Sequence, residues 1–472
     1  MAVLPAVDVE FEVTVPIVIV GAGACGLAAA LAAKDDGAEV LVLERDAVPQ
    51  GSTALSSGFI PACETQIQRD KGIEDSVDAF AADILGKAHN ETDADMVRAI
   101  CRESGPAIDW LMDRHGIEFI LVEGFLYPNH SYLRMHATPS RTGADLIGAM
   151  TRAAEQAGID IVTNSAVVDL YADASNRITG LRFEHPDGSD ERLGCGALIL
   201  ACNGFGGNPE MVRQFIPDMA EANYFGHTGN QGDAIRWGES LGAATADLGS
   251  FQGHGSVAHP HGILISWALM MEGGIQVNSD GLRFSNEHEG YSEQGRRVIA
   301  QPGHIAWNIF DDRLYAFAQD FEDFRQAVAA GAIVSAADIP QLAVVSGLPE
   351  GNLRLTFEEI GRLATGEGAD TFGRDFTTAP MLTPPYRAAR VTGSLFHTQG
   401  GLLVDEKARV LHHDGSPFPN LYAGGGAARG VSGPSDWGYL SGNGLLTALT
   451  LGRIAGRSAT AVASQSLNSD MH

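Results

Sequence analysis

The pattern of apolar and polar positions is most regular near the start of the chain. An unbroken apolar run, Ile-Val-Ile-Val at 17–20, is typical of a strand that is buried on both faces. Small residues at 28–33 predict a helix that can lie close to a sheet, and Asp-Asp-Gly at 35–37 predicts its end. A second apolar run at 40–43 is closed by Glu44. Strand, helix and strand in this order predict a βαβ unit of a parallel sheet.

The rest of the chain continues this mixture of helices and strands. The pattern is helical at 64–112, 142–157, 311–330 and from 443 onward, and typical of strands at 160–170, 178–184, 197–202 and 420–426. The turn at 186–188 predicts a β-meander, and the residues at 400–405 with the turn at 412–415 predict a hairpin. Between 251 and 396, prolines and isolated tryptophans replace the valine- and glycine-rich rhythm. We predict an α/β fold with a parallel sheet and a β-meander, interrupted by an inserted α+β cap, with the domains 1–249, 250–396 and 397–472.

Length, charge and cysteine usage narrow the classes of protein to which the chain can belong. Its 472 residues suffice for two domains or a domain with an insertion. The net charge of −28 is spread along the chain without a basic stripe, which argues against nucleic acid or an anionic membrane as partner. The cysteines are scattered and form no C-x-x-C, a pattern typical of reduced thiols in the cytoplasm.

Targeting segments, membrane spans and metal sites are not expected. Asp8, Glu10 and Glu12 stand where a signal peptide would be basic, and no apolar run reaches the roughly 18 residues of a membrane helix. His412 and His413 lie in a turn, where adjacent histidines are usually solvated, and no second ligand cluster accompanies them. We therefore expect a cytoplasmic protein without a metal.

Three glycines follow the first strand in a G-x-G-x-x-G spacing, at Gly21, Gly23 and Gly26. The spacing gives a tight turn, close approach of the backbone to a pyrophosphate and close packing of helix on strand. Glu44 follows Gly26 by 18 positions, where its carboxylate can accept hydrogen bonds from a ribose. An ordinary glycine-rich turn does not require this acid, so the stretch predicts a dinucleotide site. We interpret Cys25, inside the motif, as a packing residue.

The loop after the second strand distinguishes between dinucleotides. Residues 50–58, Gln-Gly-Ser-Thr-Ala-Leu-Ser-Ser-Gly, offer N–H groups and hydroxyls that can contact a ribityl chain, a phosphate and a flavin ring. Here the chain resembles the flavoprotein family of fumarate reductase, succinate dehydrogenase and the 3-ketosteroid dehydrogenases. In succinate dehydrogenases a histidine of this loop carries the flavin covalently, and Ser52 stands in its place. The resemblance implies a Rossmann-type FAD-binding domain that holds FAD non-covalently.

The expected FAD contacts extend beyond the glycine motif. Residues 202–204, Cys-Asn-Gly, stand where the family usually has Thr-Gly-Gly, and residues 228–233 resemble its T-G-D-G segment. A helix that starts near Asn443 would present its N-terminus to negative charge on the flavin. The cofactor-binding residues that we expect are Gly21, Gly23, Ala24, Cys25, Gly26, Glu44, Arg45, Gly51, Ser52, Thr53, Ser56, Ser57, Gly58, Val167, Ala201, Asn203, Gly204, Asn208, Asp233, Gly425, Gly442, Asn443, Gly444 and Leu445.

Two histidines match the places where fumarate reductases carry substrate-binding histidines. His254 ends the segment Ser-Phe-Gln-Gly-His at 250–254. His397 opens His-Thr-Gln-Gly-Gly at 397–401, which is similar to the family's H-T-x-G-G. The resemblance therefore implies active-site roles for both.

Two arginines of the fumarate reductases are replaced by tyrosines. Their proton-donating arginine ends a stretch like R-F-x-N-E-x-x-x-R, which here begins at Arg283 and ends at Tyr291. Their carboxylate-binding arginine opens R-L-G-G-N, which here reads Tyr-Leu-Ser-Gly-Asn at 439–443. Two guanidinium groups clamp a dicarboxylate, and two phenols cannot.

The segment at 437–442, Trp-Gly-Tyr-Leu-Ser-Gly, also resembles the W-G-Y-x-S-G of 3-ketosteroid Δ4-(5α)-dehydrogenases, whose tyrosine and serine belong to the active site. The resemblance implies such roles for Tyr439 and Ser441. We predict FAD-dependent α,β-dehydrogenation (desaturation) of a cyclic ketone or 3-ketosteroid. Tyr439 holds the carbonyl oxygen, an ionised Tyr291 takes the α proton, and the β hydrogen leaves as hydride to flavin N5.

The partners of such a reaction are a small-molecule ketone and an external electron acceptor: oxygen, a quinone or a redox protein. Apolar walls for the ketone are expected from Phe125, Tyr127, Phe251 and Trp437.

Two other functions are compatible with the sequence. The first is a fumarate-reductase-like reduction of an unsaturated carboxylic acid, in which Arg134, Arg141 or Arg296 holds the carboxylate and the two histidines are retained. The second is a flavin-binding sensor or assembly factor without turnover. A sensor needs a partner surface, and the sequence offers no tail or added module for one.

Overall fold

The computed structural model describes residues 2–469, and the chain divides into two compact units. The first unit contains the residues up to Phe215, Gly226–Phe251 and the residues from His397 onward. The second contains Ile216–Phe225 and Gln252–Phe396. The sequence placed residues 216–225 in the FAD-binding part. The structure groups them with the second unit, where the strand Asn223–Tyr224 pairs with a strand of that unit.

A largely parallel sheet is the centre of the first unit. The strand Thr14–Val20 pairs in parallel with Val40–Leu43 on one side and with Asp190–Leu200 on the other. Asp160–Val162 continues the sheet beside Val40–Leu43, and Pro417–Ala423 pairs in parallel with Asp190–Leu200. The predicted βαβ unit and the α/β fold are confirmed.

The β-meander extends the same sheet. Ala166–Ala172, Ile178–Glu184 and Asp190–Leu200 pair antiparallel in succession, and Ala2–Pro5 is a parallel edge strand. The meander was predicted from the turn at 186–188, and it is confirmed.

The segment predicted as a hairpin after residue 400 contains two successive chain reversals. The turn at 412–415 joins Arg409–Leu411 to Pro417–Ala423. Gly401–Leu402 pairs instead with Thr245–Ala246. Residues 403–405 also pair antiparallel with 409–411: Val404 bridges Val410, and the N–H of Leu411 donates to the carbonyl oxygen of Leu403 over 2.9 Å.

The helix Ala24–Asp35 begins directly after the glycine turn, and its small residues are almost all buried. It packs against the long helix Asn443–Ser469, so closely that a Cβ on Gly456 would lie 2.2 Å from the carbonyl oxygen of Ala29. The other helices of this unit are Gly51–Ala54, Gln66–Asp70, Val77–Lys87, Ala94–His115, Gly143–Gln156, Pro209–Phe215 and Asp233–Ser240. A small antiparallel sheet contains Ile60–Pro61, Ile120–Leu121 and Met135–Ala137.

A second sheet, with its own apolar core, forms the second unit. Its central strand, Tyr386–Thr398, pairs antiparallel with Ile305–Asp311 and Ile333–Ala336. The remaining strands include Phe251–Ala258, Ile263–Leu264 and Ile275–Asn278. The helices of this unit are Ala268–Met271, Tyr291–Ile299, Asp312–Ala318, Glu322–Ala329, Ile339–Ser346 and Glu350–Ala364.

Within the described part of the chain, none of the helices has the length and apolar character needed to cross a membrane.

Candidate active site

The glycine turn of the first unit is built for close approach. Gly21 has a φ of +104°. A Cβ on Gly26 would lie 1.8 Å from the carbonyl oxygen of Gly21, so the helix can follow the strand this closely only with glycine at that place. At Gly23 a Cβ would contact only Thr53 Oγ1, at 3.6 Å. The backbone at Gly23 is therefore open to a ligand.

The N-terminus of the helix Ala24–Asp35 lies at this turn. Its N-cap, Gly23, offers no side chain, and its first turn contains no acidic residue. The N–H of Ala24 donates to Thr53 Oγ1 over 3.1 Å. Backbone N–H groups and the helix dipole at such an end favour an anion, so the turn fits a pyrophosphate.

Glu44 is fixed beside the glycine turn. Its side chain is buried, and Oε2 accepts a hydrogen bond from the N–H of Ala22 over 2.8 Å while Oε1 accepts one from Asp46 over 3.0 Å. Each carboxylate oxygen has a second acceptor site. Glu44 can therefore still accept a hydrogen bond from a ribose hydroxyl, and its contact with a ribose stays a prediction.

Ser52 joins the loop 50–58 to a later segment of the same unit. Its Oγ accepts hydrogen bonds from the N–H of His227 (3.2 Å) and from Nδ2 of Asn230 (2.9 Å). The hydroxyl that stands where a flavin-bearing histidine would be is thus a hydrogen-bond acceptor that orders the loop.

We expect acid precipitation of the yellow protein to release all of its flavin into the supernatant as FAD, because a serine at position 52 offers no imidazole for a covalent bond. The supernatant and the washed pellet are compared by flavin absorbance, with free FAD carried through the same steps as the control. Flavin that stays in the pellet would show covalent attachment.

Asp233 is a buried acid with an unused oxygen. Its Oδ2 lies 3.9 Å from Nη2 of Arg45, and among the described residues its Oδ1 has no hydrogen-bond partner. Burial raises the pKa of the carboxyl group. Arg45 also donates to the carbonyl oxygen of Gly229. An orphaned buried acceptor of this kind fits a ligand that brings hydroxyl donors.

The N-terminus of the terminal helix is a second place in this unit that favours an anion. Gly442, with a φ of +88°, precedes the helix Asn443–Ser469, whose first turn contains no acidic residue. Among the described residues, Oδ1 of Asn443 has no partner. A Cβ on Gly444 would lie 2.7 Å from Nε2 of His397, so this ring lies directly against the first turn. The structure thus brings His397 to the end of the helix where the sequence expected a flavin.

His397 and Tyr439 are neighbours in the first unit. Their ring centroids are 5.5 Å apart in an edge-to-face arrangement. Burial lowers the pKa of His397 to about 4, although a contact with the Thr398 carbonyl oxygen opposes the shift. The imidazole is therefore neutral at physiological pH, and what it offers a ligand is a hydrogen bond rather than a charge.

The segment of Tyr439 and Ser441 is anchored by a histidine that the sequence did not single out. Nε2 of His130 donates to the carbonyl oxygen of Ser441 over 3.0 Å. Burial lowers the pKa of His130 to about 4, so the ring is neutral. The bond spans 311 positions, and no local pattern signals it.

In the second unit, His254 and Tyr291 stack on each other. Their centroids are 4.9 Å apart, with an interplanar angle of 25°. His254 is buried, which lowers its pKa to about 3. Nδ1 accepts a hydrogen bond from the N–H of Ser256 over 3.1 Å, so the proton of the neutral ring is on Nε2. Tyr291 opens the helix Tyr291–Ile299, directly after Gly290.

Two further aromatic rings continue this stack. The ring of Phe396 lies 5.5 Å from His254, and the ring of Phe225 lies 5.0 Å from Phe396. Trp267 meets His254 edge to face at 5.9 Å. The sequence did not predict a role for Phe225, because the residue precedes the inserted segment by more than 20 positions and no motif surrounds it.

The charged residues before Tyr291 form a buried network instead of facing a substrate. Arg283 donates to both carboxylate oxygens of Glu287, over 2.9 and 2.8 Å, and to Asp370 over 2.7 Å. Arg374 adds a second ion pair to Glu287 at 3.1 Å. Hydrogen bonds and charge from the two arginines outweigh burial and lower the pKa of Glu287. The network fixes the loop that leads into Tyr291.

The four residues predicted as apolar walls all lie in the first unit. Trp437 stacks on the exposed His89, with centroids 4.3 Å apart. Phe125 and Tyr127 pack together at 5.0 Å, and Phe251 is buried. The structure therefore places Trp437 against the end of the helix Val77–Lys87, on a surface-exposed partner.

The three arginines that were considered for binding a substrate carboxylate differ in their partners and in their exposure. Arg134 is fully buried and donates to Asp75 over 2.7 and 2.9 Å and to Asp83. Arg296 lies 3.4 Å from Asp218, and Arg141 is exposed. Two carboxylates already engage the guanidinium group of Arg134, which argues against its binding a substrate carboxylate as well.

The remaining expected cofactor residues lie in the first unit. Burial raises the pKa of Cys25 to about 12, which agrees with its interpretation as a packing residue. Those that are buried are Ala24, Thr53, Gly58, Val167, Ala201, Gly204, Asn208 and Gly425. Gly51, Ser56, Asn203 and Leu445 are half-buried, and Ser57 is exposed. In the described residues we find no group of three or more His, Cys, Asp or Glu side chains that could hold a metal.

Comparison with known proteins identifies relatives along most of the chain. Residues 16–445 match the model of a family described as FAD binding domain. The NADH:fumarate oxidoreductase of Klebsiella pneumoniae is 30% identical over 446 residues, which are 94% of this chain and 47% of that protein. The urocanate reductase of Eggerthella lenta is 29% identical, over 95% of this chain and 75% of that protein. The chain thus spans about half the length of the first relative and three quarters of the second.

Two solved structures have the same fold. A flavocytochrome c3 fumarate reductase in its open conformation has a TM-score of 0.81 and 28% identity, with 97% of this chain and 80% of that chain covered. The 3-ketosteroid-Δ4-(5α)-dehydrogenase of Rhodococcus jostii has a TM-score of 0.78 and 23% identity, with 97% and 99% covered. At that identity the second likeness is one of fold alone.

These relatives overturn the predicted reaction. Desaturation of a cyclic ketone was expected from the tyrosines at 291 and 439, but the relatives in sequence are named as reductases of fumarate and urocanate. The prediction was wrong because a phenol in the place of an arginine indicates which protons can move, not the direction in which the electrons pass. The findings favour the alternative, reduction of an unsaturated acid, over ketone desaturation.

Proposed function

The chain belongs to the FAD binding domain family whose model it matches, and from this premise we propose that it reduces the carbon–carbon double bond of an unsaturated carboxylic acid. FAD is its cofactor, and it is an oxidoreductase. The observation that carries the proposed reaction is identity of 29–30% over 94–95% of the chain with proteins named as fumarate and urocanate reductases. The retained His254 and His397 support it.

FAD would be held by the first unit. Gly23 and the helix Ala24–Asp35 would take the pyrophosphate, Glu44 a ribose hydroxyl, and the first turn at Asn443 the flavin. When bound and reduced, FAD supplies a hydride to carbon. The roles of these residues are part of the proposal.

The two histidines would bind the acid without charge. His254 and His397 are neutral, since burial lowers their pKa values to about 3 and about 4. A neutral N–H group can donate to a carboxylate, and this hydrogen bond would strengthen as negative charge grows on the carboxylate. Recognition by neutral donors favours a substrate with one carboxylate over a dicarboxylate, which two arginines would clamp.

Tyr291 would supply the proton. Reduction of the double bond requires a hydride on one carbon and a proton on the other, and phenols are protonated at neutral pH because their ordinary pKa is near 10. The O–H bond of Tyr291 breaks as the new C–H bond forms, and water returns a proton to the phenolate. The stack on His254 would hold the phenol ring in place.

We propose a separate electron donor and a cytoplasmic location. Reduction of an acid consumes electrons, so the external partner expected from the sequence would deliver them rather than accept them. The free cysteines, all but one of which are buried, support a reducing compartment.

The proposal predicts that photoreduced protein is reoxidised under anaerobic conditions by an unsaturated acid. The panel contains acrylate, urocanate and fumarate, each paired with its saturated analogue as the control, and the flavin absorbance band reports the result. We expect return of the oxidised band with at least one unsaturated acid and with none of the saturated ones. If every acid fails and a saturated cyclic ketone bleaches the oxidised band, the proposed reaction is wrong.

A further inference from the structure

A chain of buried side chains leads from the terminal helix to His397. Nδ2 of Asn443 donates to Oγ of Ser432 over 3.1 Å, and the Ser432 hydroxyl donates to Oε1 of Gln399 over 2.8 Å. Nε2 of Gln399 then lies 2.9 Å from Nδ1 of His397. Asn443, Ser432 and Gln399 are all buried. Because an amide N–H group can only donate, Nδ1 of His397 is the acceptor in this arrangement.

We propose that Gln399 is a positioning residue, which fixes His397 in the tautomer that carries its proton on Nε2. Gln399 occupies the variable place of the His-Thr-Gln-Gly-Gly segment, and no role was predicted for it from the motif. The only indication in the sequence was the residue type of Gln399. It is an amide two residues after a histidine, in a segment that otherwise contains threonine and glycine.

Gln399 is itself held from both sides. Its N–H donates to the carbonyl oxygen of Ser250 over 2.8 Å, and its carbonyl oxygen accepts from the N–H of Gly430 over 2.7 Å. A competing contact, 3.4 Å from Nδ1 of His397 to the carbonyl oxygen of Thr398, would require a proton on Nδ1. The contact with Gln399 is shorter by 0.5 Å and nearer the ordinary hydrogen-bond length, so it determines the tautomer.

The tautomer decides what His397 offers a ligand. Nε2 lies against the first turn of the terminal helix, as its closeness to Gly444 shows. A helix N-terminus favours negative charge and opposes a proton that would charge the ring. A protonated Nε2 adds one more donor there, whereas a lone pair on Nε2 would repel an anion. The benefit for a carboxylate rests on the proposed function; the assignment of the proton does not.

The position of the proton is tested by nitrogen NMR of the FAD-loaded protein with ¹⁵N-labelled histidine. The His397 signals are assigned by their loss in His397→Gln. We expect a protonated-type signal for Nε2, an unprotonated-type signal for Nδ1, and no titration between pH 5 and 8, because burial lowers the pKa of His397 to about 4. A proton on Nδ1 in the wild type would overturn the proposal.

Two variants test whether Gln399 is the cause. In Gln399→Glu the carboxylate accepts from Nδ1, so the proton moves to that nitrogen, and we expect the titration midpoint of His397 to rise by roughly one to three pH units. In Gln399→Met only the longer contact of Nδ1 with the Thr398 carbonyl oxygen remains, and a mixture of tautomers is expected without a rise in the titration midpoint. Tyr439 is a titratable neighbour of the His397 ring, so the NMR signals of the Tyr439 ring are followed in a separate experiment over the same pH range.

Gln156→Glu, at an exposed position, is the control for added charge and should leave the His397 signals unchanged. If neither substitution at 399 alters them, Gln399 does not set the tautomer. Should Gln399→Glu fail to fold, the wild type and Gln399→Met decide. Because no substrate is present, a failure of the proposed reaction leaves this result interpretable.

Discussion

A Tyr291→Phe variant should reduce an unsaturated acid roughly 10²- to 10⁴-fold more slowly than the wild type, the usual range for loss of a general acid. Phenylalanine keeps the ring that stacks on His254 and removes only the hydroxyl. FAD content and acid binding should therefore change little, while the step that needs a proton on carbon slows. The measurement is the rate at which the acid reoxidises reduced FAD under rapid mixing.

Tyr315→Phe is the matched control, since Tyr315 lies in the same unit on the helix Asp312–Ala318 and its ring contacts Arg387. It should reoxidise at the wild-type rate. A Tyr291→Phe protein that is as fast as this control would remove Tyr291 from the reaction. Transfer of the role to Tyr439 would then be tested with the corresponding variant.

The nucleotide-binding half of the molecule could be predicted because its determinants are local. The strand at 17–20, the glycines and Glu44 lie within 28 residues, and each has a single physical reason. Parallel pairing of Thr14–Val20 with Val40–Leu43 follows from this order.

Other parts of the site depend on contacts that no local pattern encodes. Phe225 joins the aromatic stack of His254 only because its segment pairs with the strand Tyr386–Thr398. His130 reaches Ser441 across 311 positions. A buried histidine or phenylalanine has the same sequence signature whether it supports a site or only fills a core.

The direction of the reaction was the least predictable property. A phenol accepts a proton when ionised and donates one when neutral, so Tyr291 is compatible with desaturation and with reduction alike. The charges of the two histidines do not decide either, since His254 and His397 are both neutral. Sequence similarity along 94–95% of the chain, which two motif positions cannot replace, favours reduction.

The largest effect on stability is expected from Arg134→Met, which should lower the free energy of unfolding by about 3–5 kcal/mol at pH 7. The substitution leaves the carboxylates of Asp75 and Asp83 without their shared partner, and the side chains of Arg134 and Asp75 are wholly buried. Breaking a buried ion pair is costly because the remaining charge keeps its desolvation penalty. The difference in the free energy of unfolding is measured by urea unfolding of the FAD-loaded protein, with circular dichroism as the signal.

The pH dependence separates this ionic explanation from a loss of packing. Burial alone would raise the pKa of Asp83, but hydrogen bonds from Arg134 and Ser131 outweigh it and lower the pKa. A lowered folded-state pKa contributes stability that is present above the unfolded value, near 4, and is lost as pH falls through the folded value. The difference between Arg134→Met and the wild type should therefore persist from pH 7 down to about 4 and shrink as the pH falls further, toward the folded-state value. Arg141→Met, at an exposed position, should change stability by less than about 0.5 kcal/mol at either pH. An Arg134→Met protein that is as stable as Arg141→Met but binds the acid substrate much more weakly would instead make Arg134 a substrate-binding arginine.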